Sequence, residues 1–573
     1  MTTSSAPGFR ICGITGLKVN RSSELLIRAN AVIAVVCLLI GAVAAIGLVL
    51  TRWQAVHLLP ADWFYRILTL HGLNMLIFFI IFFEMAVLYF AGPILLNSRQ
   101  PAPKLAWFSF VLMVVGMILV NTMVLSGKAD VLFTSYVPLR ADPLYYLGII
   151  LFAVGALIVC GLFFASLVVA KREKTYKGSV PLVTFGAITA AIIAVITLLH
   201  GAATYIPTFL WSLGLIELDA QLYRLLFWAL GHSSQQINVA AMVSLWYFLG
   251  AVTVGGVVLN EKVSRLAFVL YILFISMASA HHLLVDPGFG SAWKVWNTSY
   301  AMYLAVLASM IHGFTVPGGI EVGLRLRGYT KGFFEWLRKA PWGDPGFAGL
   351  ILSIIIFGFL GGITGVTIGT EQINIIAHNT MRLPGHFHAT VAGGTALCFM
   401  AASYYVIPLI FRKRISFWGL AKFQPYMFGI GISVMSMSKI YMGILGMPRR
   451  LADATFANAP FTVEFHPTMW AIQVVFGIGG LLAAIGALSF CIIAVATVFF
   501  GSPLTEESIK NGSKGIPQGL LKLPAQVHEG QHVKAVHQTG AKGTVVLVGI
   551  FFFCFVMYYF LNWKILSFLW KVG

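Results

Sequence analysis

The chain has 573 residues, 59% of them apolar and only 10% charged, with a mean hydropathy of +0.88 and a formal net charge of +19. That composition excludes a string of soluble domains and describes an all-α polytopic membrane helical bundle. The six cysteines, Cys12, Cys37, Cys160, Cys398, Cys491 and Cys554, are scattered without CxxC spacing, which excludes a disulfide framework and a cysteine-bound metal.

In chain order, residues 1–28 read as a polar, basic cytoplasmic leader that lacks the short apolar core and cleavage site of a signal peptide. About 13 spans follow, near residues 29–50, 67–95, 105–125, 144–170, 181–211, 223–250, 264–284, 297–318, 347–366, 385–411, 424–446, 468–500 and 543–570. Residues 29–500 make the helical core, 501–542 a cytoplasmic loop, and 543–573 the C-terminal transmembrane helix. With the N-terminus inside, the leader and the even connections carry more than twice as many Lys and Arg as the opposite side, notably in Lys171-Arg172-Glu173-Lys174, Arg412-Lys413-Arg414 and 325–339. Topology and anionic lipid therefore account for the positive charge, and no nucleic acid is called for. His528, His532 and His537 in the last loop read as solvated residues.

The buried histidines carry the chemistry. His71, in Leu68-Thr69-Leu70-His71-Gly72-Leu73-Asn74, begins the second span on the outer side. Alone it could be a hydrogen-bonded core residue or a proton relay. His232, in Gly231-His232-Ser233, stands near the outer end of the sixth span, and Ala280-His281-His282-Leu283-Leu284 closes the seventh on the same side. Three neutral imidazoles at one depth suit copper, zinc or iron and leave a coordination position open. His281 and His282 diverge by about 100° on a helix, so they share a metal only if it lies between their directions.

A second histidine pair occupies Leu383-Pro384-Gly385-His386-Phe387-His388-Ala389-Thr390, on a helix that starts near Pro384 and runs to about Ile410. Two residues apart, His386 and His388 leave opposite sides of that helix, about 200° apart. One helix can thus serve two centres. His71 and His388 share an outer depth and suit the two axial positions of a haem. A transporter with histidine proton relays would explain the spans and the charge asymmetry, but not imidazoles at one depth on four helices.

The set His71, His232, His281-His282 and His386-x-His388, followed by Gly446-Met447-Pro448-Arg449-Arg450, resembles subunit I of the haem-copper oxidase superfamily over essentially the whole chain. The span count and short loops look most like the B-type (ba-type) branch. The resemblance implies that His71 and His388 ligate a low-spin haem and His386 a high-spin haem. It also implies that His232, His281 and His282 hold a non-haem metal, copper or iron, and that Arg449 and Arg450 pair with haem propionates, for which guanidinium geometry is suited. His378, Asn379 and Thr380 match the family's segment above the haems. Haem type is not encoded, since several haems share axial histidines.

One position departs from the oxygen-reducing pattern, which resembles Gly-His-Pro-x-x-Tyr. This chain reads Gly231-His232-Ser233-Ser234-Gln235-Gln236, so Gln236 shares a helix face with His232 where the phenol would stand. A phenol can donate a proton and an electron during O–O cleavage; a carboxamide only hydrogen-bonds. Tyr271 lies ten residues before His281, about 15 Å along a helix, too far to replace it, and nothing places Tyr300 or Tyr303 there. Coupling two NO to N2O is the favoured reaction, with Gln236, His232, His281, His282 and His386 as its catalytic residues. Reduction of O2 to water by a cytochrome c or quinol oxidase is the alternative. Against the first reading, no glutamate lies near His232 or His281; Glu84 reads as a proton-path or structural carboxylate.

Tyr247, Thr298, Ser299, Tyr303, Ser309 and His312 could line an inner-side path resembling the family's K-type pathway, or be helix-helix glue. Lys439 and Ser438 are intramembrane and need partners. No stretch carries the ligands of a binuclear copper site. The resemblance therefore implies a subunit II with a cupredoxin-like electron-entry domain, and cytochrome c, a small copper protein or quinol as donor. The expected location is a prokaryotic cytoplasmic membrane, with a multi-pass chain and the N-terminus cytoplasmic.

Overall fold

The computed structural model describes residues 8–275, 281–457, 459–461, 463–521 and 540–569. The chain is a polytopic helical membrane protein: among the described residues, twelve helices are long and apolar enough to cross a membrane. In chain order the long helices are α1 Arg21–Arg52, α2 Ala61–Ile94, α3 Pro103–Leu125, α4 Pro143–Arg172, α5 Leu182–Ser212 and α6 Ala220–Val254. Then come α7 Glu261–Leu270, α8 Ser291–Leu326, α9 Pro345–Gly369, α10 Arg382–Phe411, α11 Trp418–Ile444, α12 Thr468–Phe500 and α13 Lys542–Leu569. The predicted span 264–284 corresponds to α7, which continues as a π turn over Tyr271–Ile275; residues 276–280 lie outside the described residues.

The leader is not featureless. Strands β1 Phe9–Ile11 and β2 Lys18–Asn20 pair antiparallel, and α1 begins at Arg21, ahead of the predicted 29. Polar capping explains the early start. Asn20 accepts from the Ser23 amide at 3.2 Å, and Glu24 in the first turn pairs with Arg10 at 2.6 Å and Arg28 at 2.9 Å. A search for apolar runs cannot see turns held this way. In the segment 501–542, Glu506–Lys510 and Gln518–Leu521 are short helices; His528, His532 and His537 lie outside the described residues.

The chain divides into two compact units. Unit 1 comprises residues 1–244 and 409–412, hence α1 to α5 and most of α6. There α3 packs on α4 through Gly116 and Gly148, where a side chain on either would strike the other's carbonyl oxygen. Such close approach of backbones is the usual device for helix association in lipid. Phe78 and Phe82 of α2 meet Phe152 of α4 edge to face, with centroids 4.9 and 5.5 Å apart.

Unit 2 comprises residues 245–408 and 413–573. Its helices α11 and α12 approach as closely: a side chain on Gly431 would strike the Ala483 backbone, and one on Gly479 the Met435 backbone. Helix α13 is anchored at its first turn by buried Glu321 of α8. The carboxylate accepts from the Gly543 amide at 2.9 Å, the Thr544 amide at 2.6 Å, the Thr544 hydroxyl at 2.8 Å and Arg325 Nε at 2.7 Å. Anionic groups suit a helix N-terminus, so one side chain caps α13 and neutralises the arginine of its own helix.

Candidate haem and metal ligands

In unit 1, His71 sits three residues, less than one turn, before α2 passes into a π stretch over Asn74–Phe78. Its Nδ1 lies 2.9 Å from the Gly41 carbonyl of α1. A carbonyl can only accept, so Nδ1 carries the proton and Nε2 is the basic nitrogen, the form in which imidazole binds a metal. Gly41 allows the contact, since any side chain there would strike Met75. His232 is buried on α6, and Gln236 one turn later brings its Nε2 to 2.7 Å from His232 Nε2. An amide N–H donating to Nε2 marks it as the unprotonated nitrogen of a neutral ring, the one that binds a metal, so a metal there would take the place of the amide.

In unit 2 the helix-face expectation for His386 and His388 holds: each ring faces a different helix. His386 turns to α9, with Nδ1 3.0 Å from the Gly361 carbonyl and 3.1 Å from Thr364 Oγ1. His388 starts a π stretch, His388–Ala396, and its Nδ1 lies 2.6 Å from the Pro384 carbonyl one turn back. On its other side stands Lys439 of α11, with Nζ 3.2 Å from Nε2 and 5.6 Å from the Phe476 ring. Iron at His388 Nε2 would displace that ammonium. Both histidines again present Nε2 as the basic nitrogen.

His281 and His282 lie in a 3-10 turn, and their ring centroids are 4.3 Å apart at 33°. The two rings therefore lie side by side. After α11, Gly446 adopts φ of 90° and turns the chain into Met447-Pro448-Arg449-Arg450. That loop pairs with the segment 378–381: the Arg449 amide donates to Asn379 O at 2.8 Å and the Met381 amide to Met447 O at 2.8 Å. Arg449 and Arg450 are half-buried there.

The remaining expected residues divide. Tyr247 Oη bonds Ser264 at 3.0 Å, His312 Nδ1 at 3.0 Å and Thr315 at 2.8 Å, forming a buried polar knot in unit 2. Tyr271 bonds Ser309 at 3.0 Å, whereas Thr298 bonds back to Lys294 O at 2.8 Å, and Tyr300 and Tyr303 are exposed. Ser438 caps the Val434 carbonyl at 2.9 Å. Sequence reading missed the carbonyls that orient the rings. Pro384, four residues before His388, follows helix spacing and could have been found, whereas Gly41 and Gly361 come from other helices and leave no local signal.

Comparison with known proteins gives the family. The family Cytochrome C and Quinol oxidase polypeptide I matches residues 26–482. The chain is similar to cytochrome c oxidase subunit 1 of Thermus thermophilus, 30% identical over 439 residues, 74% of this chain and 75% of that one. It is also similar to a probable quinol oxidase subunit 1 of Staphylococcus aureus, 25% identical over 465 residues, 78% of this chain and 65% of that one. A solved heme-copper terminal oxidase dimer superposes with a TM-score of 0.80 at 26% identity, covering 93% of this chain and 92% of that one. The chain belongs to the cytochrome c and quinol oxidase polypeptide I family, subunit I of the haem-copper oxidases.

Proposed function

We propose that this chain is the catalytic subunit of a bacterial or archaeal respiratory terminal reductase of the B-type frame, and that its reaction is 2 NO + 2 electrons + 2 protons to N2O and water. The family implies two haems and a non-haem metal, and the residues fit them: His71, His386 and His388 each give Nδ1 to a carbonyl and keep Nε2 basic. In this reading His71 and His388 hold the low-spin haem, His386 the high-spin haem, and His232, His281 and His282 the copper or iron. Bound there, these groups would supply the electrons and the redox-active metals. Arg449 and Arg450 would meet the propionates.

The observation that carries the choice of NO is Gln236 at hydrogen-bonding distance from His232. Its carboxamide can hydrogen-bond but yields neither proton nor electron on demand. NO coupling requires no such donor, whereas four-electron O2 cleavage gains one from a phenol. Reduction of O2 is the second reading, favoured by the names of the similar proteins, which are a cytochrome c oxidase, a probable quinol oxidase and a heme-copper terminal oxidase. Electrons would arrive through a cupredoxin-like subunit II, from cytochrome c, a small copper protein or quinol, in a prokaryotic cytoplasmic membrane with the N-terminus inside.

Turnover of the purified, reduced complex with NO and O2 as separate acceptors tests the assignment. Rapid N2O formation with slow O2 consumption is expected. Fast four-electron O2 reduction with negligible N2O would replace the first reading by the second.

A further inference from the structure

Glu84 of α2 lies in unit 1, 4% exposed, in a helix otherwise packed by Phe78, Phe82 and Phe152. An ionisable group at such depth in a membrane helix is retained for a function or balanced by a partner. Its hydrogen-bonding partner is a neutral amide. With its Nδ2 turned toward the carboxyl, Asn238 of α6 donates to Glu84 Oε1 at 2.9 Å and to the Ser234 carbonyl at 3.2 Å. Asn238 follows His232 by six residues, about 9 Å along the helix axis, on the side toward which α6 and α2 both run. The charge pattern predicts that side to be cytoplasmic, from which protons would be drawn.

Further polar groups continue the row in the same direction. The Cys160 thiol of α4 is within electrostatic reach of Glu84 and of Tyr89, five residues beyond it on α2, and Ser109 of α3 neighbours Tyr89. Ser109 and Cys160 are fully buried and Tyr89 nearly so. Four helices thus bring Ser109, Tyr89, Cys160, Glu84 and Asn238 into one polar group, and Asn238 lies just beyond the turn of α6 that holds Gln236 and His232.

We propose that Glu84 is a proton-transfer carboxyl serving this turn. Its acid form releases a proton toward α6, and the carboxylate, held by the Asn238 amide, is reprotonated from the Tyr89 side. Each passage moves one proton and leaves Glu84 unchanged, so two passages match the two protons taken up per N2O formed. The inference rests on the terminal-reductase reading, but not on whether the acceptor is NO or O2, since both consume protons.

The experiment uses Glu84→Gln in the assembled complex. Glutamine can still accept from Asn238 but cannot exchange protons, so a structural role would survive and the relay would not. With native haem spectra and CO binding retained, kcat and the rate of proton uptake seen by a pH-indicator dye are expected to fall about 100-fold, within the range for a lost proton-transfer group. Glu84→Asp should recover a large part of both. Wild-type turnover and proton uptake in Glu84→Gln would overturn the proposal. Should that variant not assemble, Tyr89→Phe removes only the hydroxyl: slowed proton uptake with intact spectra is expected, and an unchanged rate overturns the route. Failure of wild type to turn over either acceptor would instead refute the terminal-reductase reading, a result separable from any behaviour of the variants.

Discussion

The carboxamide nitrogen of Gln236 lies 2.7 Å from Nε2 of His232, one helical turn away. Gln236→Leu leaves that imidazole nitrogen without its donor, a loss of about 1–3 kcal/mol for a buried polar atom. N2O formation is expected to fall about ten- to a hundredfold, with haem content unchanged. An unaltered kcat would show that the amide has no part in holding the ring.

Metal content separates the histidines by role. His281→Ala and His232→Ala are each expected to abolish the non-haem metal, read by elemental analysis of the purified complex, while both haems remain. Loss of a haem in either variant, with the metal retained, would contradict the assignment.

The two haems should respond to different histidines of one helix. In His388→Ala the low-spin spectrum is expected to disappear, and in His386→Ala the CO-reactive high-spin signal. His71→Ala should reproduce the His388 phenotype. Identical spectral losses in His386→Ala and His388→Ala would rule out two centres on opposite sides of α10.

Glu321 is a stability prediction remote from the haem ligands. Removing one partner of a buried charge pair costs about 3–5 kcal/mol, because the other is left uncompensated. Glu321→Ala strands Arg325 and uncaps α13, so a clear fall in thermal midpoint in detergent is expected. The Glu321→Ala, Arg325→Ala double variant should lose less than the sum of the single variants. Additive losses would mean that the 2.7 Å contact does not couple them.

His386 and His388 were legible because helix geometry alone separates residues two apart, and the rings do face α9 and α11. Glu24 shows where this kind of reading stops. Its ion pairs with Arg10 and Arg28 let α1 begin in a stretch that hydropathy marks as leader. For His281 and His282, sequence spacing left the relative direction of the rings open, and the structure sets them side by side. Lys439 was recognised as needing a partner, but the partner, His388, is 51 residues away and could be found only by folding.

By itself, the sequence determined the class of molecule and the ligand chemistry. Long apolar runs must become helices in lipid, because each buried N–H and C=O has to be satisfied within its own segment, and imidazoles at a common depth in such runs restrict what can bind. The tertiary structure alone decided which nitrogen His71 and His386 offer, through the carbonyls of Gly41 and Gly361, and that Glu84 meets Asn238. Tautomer and proton path depend on atoms brought together at hydrogen-bonding distance. For Gly41, Gly361 and Asn238 that proximity joins separate helices, and local periodicity does not record which helices become neighbours.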